Sequence, residues 1–112
     1  MQFFFDGKVY TAIKITGPSH NFLGLVFDRI KDGNVEILVL EKIEAGKNII
    51  DQSAVESQVL SGIEEANLRF GVNYHLKQIQ FIPSDTPSTN VYRELTIEIV
   101  RRLAFGDKFE NV

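Results

Sequence analysis

The first half of the chain alternates hydrophobic and polar residues with the two-residue period of β-strands. An Asp6-Gly7 pair interrupts this pattern between two hydrophobic runs. Such a pair favours a two-residue hairpin turn, because both turn positions need a positive φ. We therefore predict antiparallel strands at about 2–5 and 8–16, in which every second residue from Val9 to Ile15 shares one face.

Further breaks divide the rest of the first half. The sequence at 16–21 predicts a loop, and an extended run follows at 22–30. The Asp-Gly-Asn sequence at 32–34 predicts a second hairpin turn. The next strand, at 35–43, is hydrophobic on both faces, which is typical of a central strand, and 45–51 is expected to be a connecting loop.

After residue 51 the hydrophobic period changes to that of an α-helix. Ser53 and Glu56 have the spacing of a capping box, in which each side chain satisfies a backbone N–H of the other residue. Gly71 is the expected end of the helix, because glycine readily adopts the left-handed conformation there. We expect one apolar face to pack on the sheet, formed by Val55, Val59, Ile63, Ala66 and Phe70.

A strand and a second helix complete the pattern. The strand is predicted at 74–82, and its imperfect alternation favours a bulge near Lys77. The helix is expected to follow a loop, with Thr86 or Ser88 as its N-cap, and to end at Gly106. Its hydrophobic stripe consists of Val91, Tyr92, Leu95, Ile99, Val100 and Leu103.

Strands followed by helix, strand and helix predict an α+β fold. The expected architecture is a two-layer sandwich, in which a four- to five-stranded, mostly antiparallel sheet carries two helices on one face. The order is β-β-β-β-α-β-α, and a ferredoxin-like order fits less well because no helix follows the first strand. We expect residues 1–112 to form a single domain, with its core at about 2–106 and a short loose C-terminal tail.

Composition excludes several classes of protein and site. The chain has no cysteine, which excludes disulfides and cysteine catalysis and suits a cytoplasmic location. No apolar run approaches the ~20 residues of a membrane helix. The first residues lack a basic leader, so we expect no membrane partner. The net charge of −3 is not the basic excess that is typical of a general nucleic-acid binder.

Particular residues in this order resemble domain IV of elongation factor G. Gly62-Ile63-Glu64-Glu65-Ala66 corresponds to a stretch of that family's first helix, and Ala104-Phe105 to the end of its last helix. The sequence at 16–22 stands where the family has a glycine-rich loop leading into a strand. The resemblance covers roughly residues 8–106 and implies a ribosomal-protein-type α/β fold with a left-handed βαβ crossover.

The resemblance also implies contact with the ribosome or with RNA through the loop at 16–21. The residues of this chain that would make that contact are Lys14, Gly17, Ser19, His20 and Asn21. The family loop is basic, whereas here only His20 within the loop can become cationic. The chain lacks a Gly-x-x-x-x-Gly-Lys-Ser/Thr sequence, so we expect no GTPase activity.

The aromatic residues of the first strands indicate a second candidate surface. Consecutive side chains of a strand point to opposite faces, so a Phe-Phe-Phe strand places at least one ring on the face that the helices leave open. A partner often covers such an apolar sheet face, and we expect it to form an oligomer contact. The alternative is that a curled sheet or the C-terminal tail covers those rings. The residues assigned to this face are Phe3, Phe4, Phe5, Tyr10 and Phe22.

Other candidate groups are few. His20 is either an acid–base or RNA-contacting residue or a plain exposed loop histidine, and His75 is expected to be structural. Two histidines without a nearby acidic cluster do not predict a metal site, and we expect no cofactor. Arg101 and Arg102 are expected to complement the C-terminal end of the last helix, with Glu98 paired to Arg102.

The sequence therefore predicts a non-catalytic binding or assembly module that forms a homo-oligomer. The alternative is a ribosome- or RNA-associated protein that uses the loop at 16–21. A small enzyme is a third interpretation, for which the sequence supplies no pair of nucleophile and base.

Overall fold

The computed structural model of the protein describes residues 1–29, 33–40 and 50–111, in which six strands and two helices follow one another. The elements are β1 (Gln2–Phe5), β2 (Tyr10–Thr16), β3 (Ser19–Asp28), β4 (Glu36–Val39), α1 (Gln52–Phe70), β5 (His75–Phe81), α2 (Val91–Phe105) and β6 (Glu110–Asn111). Neither helix is long and apolar enough to cross a membrane, within these described ranges.

The strands form one sheet in the order β4-β5-β3-β2-β1-β6. The central pairs are antiparallel, whereas the two outermost pairs, β4 with β5 and β1 with β6, are parallel. The predicted α+β class is confirmed. The strand count and order differ from the prediction, because the described part of the chain has six strands and the last one follows α2.

One face of the sheet carries the hydrophobic core. Phe3 is opposite Ala12, Ala12 is opposite Leu23, and Leu23 is opposite Phe81. All four side chains are buried together with the apolar stripes of α1 and α2. Both helices therefore pack on this face, as the period of their hydrophobic residues predicts.

The turn between β1 and β2 spans four residues, because Phe5 pairs directly with Tyr10. The Asp6 carboxylate accepts hydrogen bonds from Val9 N at 2.7 Å and Lys8 N at 2.9 Å. These bonds lower the pKa of Asp6. The predicted hairpin is confirmed, but its two-residue turn is wrong because the Asp side chain closes a longer one.

The hairpin between β2 and β3 replaces the loop that was predicted at 16–21. Thr16 pairs with Ser19, so only Gly17 and Pro18 form the turn. Gly17 has a φ of 59°, which favours glycine at this position. The prediction of a six-residue loop is wrong, since strand pairing continues to the very tip.

The second predicted hairpin does not form, because β5 lies between β3 and β4. A strand from later in the chain thus separates two strands that the sequence suggested were paired. β4 is consequently an edge strand rather than a central one, and Leu38 is exposed. Asp32 and the parts of the predicted strand and loop at 41–49 lie outside the described residues.

The helix ends agree with the prediction, whereas the helix starts differ from it. Gly71 and Gly106 are both left-handed C-caps. At the start of α1 the cap is Asp51, whose side chain accepts from Ser53 N at 3.1 Å, so the predicted capping box is wrong. An aspartate two residues before Ser53 supplies the same kind of acceptor.

The start of α2 is held partly by the other helix. Its N-cap residue is Asn90, and the Ser88 hydroxyl accepts from Val91 N at 3.1 Å. Gln58 of α1 accepts from Tyr92 N at 3.1 Å and donates to Ser88 O at 2.9 Å. A side chain from α1 thus satisfies backbone groups that a local cap would otherwise serve.

The predicted bulge is confirmed at Lys77. Val26 pairs with Gln78 and Phe27 with Leu76, so Lys77 has no partner residue on β3. The extra residue keeps Ile79 and Leu76 both in the core despite their odd spacing.

The expected loose tail differs from the structure, because its end forms β6 against β1. The Phe109 ring meets the Phe3 ring edge-on, with centroids 6.1 Å apart. Arg102 donates to Lys108 O at 2.8 Å. The Phe109 ring and the hydrogen bond from Arg102 therefore hold this largely polar C-terminal segment in place.

Candidate functional site

The tip of the β2–β3 hairpin, the loop at 83–86 and the start of α2 form one polar site. β5 ends at Phe81, and the following loop continues along the free edge of β3. His20 N donates to the Thr86 hydroxyl, and Thr86 N donates to His20 O, each at 3.0 Å. The loop thereby forms the hydrogen bonds with His20 that a neighbouring strand would otherwise form.

Asp85 is the buried anchor of this site, with 8% of its surface exposed. One carboxylate oxygen accepts from Phe22 N at 2.7 Å, and the other lies 3.1 Å from Nδ1 of His20. His20 itself is half exposed. A buried carboxylate in this position can orient the exposed imidazole. Among the described residues, no side chain is hydrogen-bonded to Nε2 of His20.

Asn21 connects the hairpin to α2 beneath this pair. Its amide donates to Thr86 O at 2.7 Å and to the Tyr92 hydroxyl at 3.3 Å. Burial raises the pKa of Tyr92 to about 12, the Asn21 hydrogen bond opposes that shift, and the charge of Asp85 adds to it. Tyr92 is therefore a neutral hydroxyl at physiological pH and acts as a structural partner.

Lys14 is the remaining cation of the predicted contact set. Its ammonium lies 3.1 Å from the Glu94 carboxylate of α2. Each basic group at the tip, Lys14 and His20, therefore faces a carboxylate. Ser19 pairs with Thr16 at the turn, and Gly17 has open space around its α-carbon. The five predicted residues thus lie together at the tip, and its two basic side chains have carboxylate partners.

Sequence reasoning missed Asp85, Tyr92 and Glu94 as members of this site. His20 and Asp85 are 65 residues apart in the chain, and Lys14 and Glu94 are 80 apart. The available signal was an acid within a hydroxyl-rich loop before a helix, which capping alone also explains. Only the tertiary fold brings the two segments together.

The opposite face of the sheet is the second candidate surface. Strand register divides the five aromatic residues assigned to it, because Phe3 and Phe5 point to the core while Phe4 points away. Phe22 also points away, since it pairs with Ile13 between core positions. The assignment of Phe3, Phe5 and Tyr10 to the open face is wrong.

Those three rings belong to an aromatic cluster on the helix side. Phe5 stacks on Tyr10 with centroids 4.2 Å apart, and Tyr10 also meets Phe109 at 4.9 Å and Phe27 at 5.8 Å. Burial, with a contribution from Tyr74, raises the pKa of Tyr10. Rings that are packed against one another in this way are not available to a partner.

We call the apolar side chains on the open side of the sheet the outer face. They are Phe4, Ile13, Ile15, Phe22, Val26 and Leu38. Ile15 has 59% of its surface exposed, and Leu38 is also exposed. The neighbouring amides bond to side chains beside them: Gln80 donates to Gln78 at 2.7 Å, and Gln78 donates to Glu36 at 2.9 Å.

The other candidate groups have local structural roles. Arg101 bonds to Glu98 at 3.0 and 3.1 Å and to Asp107 at 3.3 Å; Glu98 first, then Asp107, raises its pKa. The predicted partner of Glu98, Arg102, instead lies 3.9 Å above the Phe3 ring. Within the described ranges, no three His, Cys, Asp or Glu side chains are placed to hold a metal ion.

Comparisons with known proteins add no assignment. No protein-family model, curated protein or solved structure matches the chain. The resemblance to domain IV of elongation factor G therefore stays a prediction.

Proposed function

We propose that this protein is a non-catalytic binding and assembly module that associates with a second copy of itself through the outer face. The observation that carries the proposal is the position of the helices. α1 and α2 both pack on the opposite face, and neither covers Phe4, Ile13 or Phe22. Phe4, Ile13 and Phe22 are half-buried, Val26 is buried, and Ile15 and Leu38 are exposed. Apolar patches on an open sheet face are typical of protein–protein contacts.

The charge distribution favours a second copy over a charged partner. On β1, β2 and β3, from Phe4 to Val26, the outer face carries no lysine, arginine or carboxylate. Carboxylates stand towards its margins, on Asp28 at the end of β3, Glu36 of β4 and Glu110 of β6. Two copies related by a two-fold axis can bring their neutral apolar centres into contact without burying an unpaired charge.

The direction of one backbone carbonyl supports the predicted relation to domain IV of elongation factor G. β4 and β5 are adjacent and parallel, and α1 connects them. Phe81 points its side chain to the core, and its carbonyl accepts from Leu40 N at 3.0 Å, on the β4 side. We view the sheet from the helices, with β5 running upward. For L-residues in this orientation, a side chain that points towards the viewer has its own C=O pointing to the viewer's right.

Seen from the helices, β4 therefore lies to the right of β5. A chain that ascends β4, descends α1 in front and ascends β5 moves to the left. We infer that this crossover is left-handed, a hand found in only about 2% of βαβ units. The same unusual hand is what the resemblance implies, so it supports a shared topology.

RNA binding through the hairpin tip has weaker support. Lys14 and His20 each face a carboxylate, and phosphate binding requires free cationic groups. Fluorescence anisotropy with a labelled RNA hairpin at low salt tests this alternative. Binding that weakens in the Lys14→Ala and His20→Ala variants would favour it.

Sedimentation velocity across a micromolar concentration series tests the proposed self-association. We expect the wild-type sedimentation coefficient to rise with concentration. Replacing Phe4 with Ser should weaken the dimer about tenfold, because truncating a central interface side chain costs roughly 1–2 kcal/mol. Leu68→Ser is the matched control, since Leu68 is 83% exposed on α1, away from the outer face. A strictly monomeric wild type, or equal effects of both variants, would overturn the proposal.

A further inference from the structure

A groove lies on the helix side of the sheet, between α1 and the segments that enter β4 and β5. Its volume is about 490 Å³, within the range of small-ligand sites. Val35 and Leu76 contribute from the strand side, and Leu60 and Ile63 from the helix. These four side chains give the groove an apolar floor.

The helix side of the groove combines apolar and acidic residues at regular spacing. Glu56, Leu60, Ile63 and Glu64 all line it, and steps of three and four residues place them on one face of α1. Leu60, which lines the groove, is 42% exposed. An apolar side chain kept open between two carboxylates is what a ligand with an apolar body and a charged head would contact.

Some polar groups around the groove already form hydrogen bonds within the protein, and others do not. The Asn67 amide donates to Tyr74 O and accepts from Tyr74 N, both at 3.0 Å, so it holds the fold. Glu56 and Glu64 have no hydrogen bond or ion pair within the described part of the chain. No lysine or arginine is among the described residues that line the groove.

We propose that this groove binds a small organic cation, in which an ammonium or guanidinium group is joined to an apolar chain or ring. The apolar body lies on Leu60, Ile63 and Leu76, and the cationic head meets the carboxylates of Glu56 and Glu64. An anionic ligand of the same shape is repelled by both glutamates, and a neutral one gains only the apolar contact. This site is separate from the outer face and does not depend on self-association.

Three ligands with one apolar body isolate the role of the head group. The full-length protein, labelled with ¹⁵N, is titrated separately with 4-phenylbutylamine, 4-phenylbutan-1-ol and 4-phenylbutyrate. We expect the amine to shift the amide resonances of Leu60, Ile63 and Leu76, and to bind about tenfold more tightly than the carboxylate, because two unpaired glutamates favour one charge and oppose the other.

Variants then assign the effect to this groove. Glu56→Gln and Glu64→Gln should each raise the Kd of the amine about two- to fivefold, the size expected for exposed ion pairs, and leave the alcohol unchanged. Glu110→Gln is the matched control, because it removes the same charge on the far edge strand β6. Leu60→Ser should weaken the amine and the alcohol alike.

Two results would overturn the proposal. One is equal binding of amine, alcohol and carboxylate, which would mean that the glutamates do not select a cation. The other is the absence of shifts at Leu60, Ile63 and Leu76 at millimolar amine. A loss of binding in Glu110→Gln as large as in Glu56→Gln would contradict it equally, because net charge alone would then explain the affinity.

Discussion

Gly62 of α1 lies directly against Thr96 of α2. A β-carbon at position 62 would stand 2.8 Å from Cβ of Thr96 and 2.9 Å from the backbone oxygen of Arg93. Thr96 cannot easily move aside, because it is fully buried and its hydroxyl donates to Tyr92 O at 2.7 Å. The glycine of the Gly-Ile-Glu-Glu-Ala stretch therefore sets how closely the two helices approach.

Gly62→Ala should destabilise the protein even though alanine favours helices. The gain in helix propensity is about 1 kcal/mol, whereas overpacking against backbone costs typically 1–3 kcal/mol, so we expect a net loss. Urea unfolding measures the change. Ser57→Ala, on an exposed position of the same helix, is the control and should change the free energy of unfolding by no more than about 0.5 kcal/mol. An unchanged or raised stability of Gly62→Ala would show that the helices can separate freely.

Asp85→Ala should cost more stability than His20→Ala. Without the carboxylate, the Phe22 N–H loses its 2.7 Å acceptor, and an unsatisfied buried donor costs about 1–3 kcal/mol. His20 is half exposed, so water can replace its contact, and its loss should cost less than about 1 kcal/mol. Urea unfolding of the two variants at pH 7 makes the comparison. Equal losses would mean that the carboxylate acts only through the histidine.

Tyr92 should make the protein less stable at high pH. Its folded pKa of about 12 lies above the ordinary tyrosine value of 10.0, so the folded state prefers the protonated hydroxyl. The associated stability is fully present below pH 10 and is lost as the pH rises towards 12. Ultraviolet titration of tyrosinate should show this residue ionising last, and Tyr92→Phe should remove that step. Persistence of the step in Tyr92→Phe would assign it to another tyrosine.

Asp51→Ala should destabilise α1 more than Ser53→Ala. The Asp51 side chain accepts from Ser53 N and from the Ser53 hydroxyl, at 3.1 and 2.9 Å, and loss of an N-cap typically costs about 1 kcal/mol. Ser53 contributes only the second of these bonds. Thermal unfolding followed by circular dichroism ranks the two variants. A larger loss in Ser53→Ala would restore the capping box that the sequence suggested.

Local features of the fold were predictable from sequence. Gly71 and Gly106 end their helices as expected, and the bulge at Lys77 follows from the odd spacing of its neighbours. Each of these depends on the conformation of a few adjacent residues. The side chains of Asp51 and Ser53 could each accept from N–H groups at the start of α1. The sequence does not show that Asp51 is the one that does so.

Long-range features were not predictable. Nothing near residues 28–36 indicates that β5 will lie between β3 and β4. Whether Phe3 or Phe4 faces the core depends on which side of the sheet the helices cover. A shift of one residue in strand register would exchange the two rings. The partners of His20 and Asn21 come from a loop and helix more than 60 residues away. The sequence therefore located the candidate site at the hairpin but did not identify the carboxylates that complete it.

Isotope-filtered NOE spectroscopy tests the outer face most directly. Copies labelled with ¹³C in the isoleucine methyl groups are mixed with unlabelled copies at a concentration where the sedimentation coefficient has risen. We expect intermolecular NOEs from the methyl groups of Ile13 and Ile15 to aromatic protons of Phe4 and Phe22 in the other copy. Intermolecular NOEs confined to the helix residues, or none at millimolar protein, would contradict self-association through the outer face.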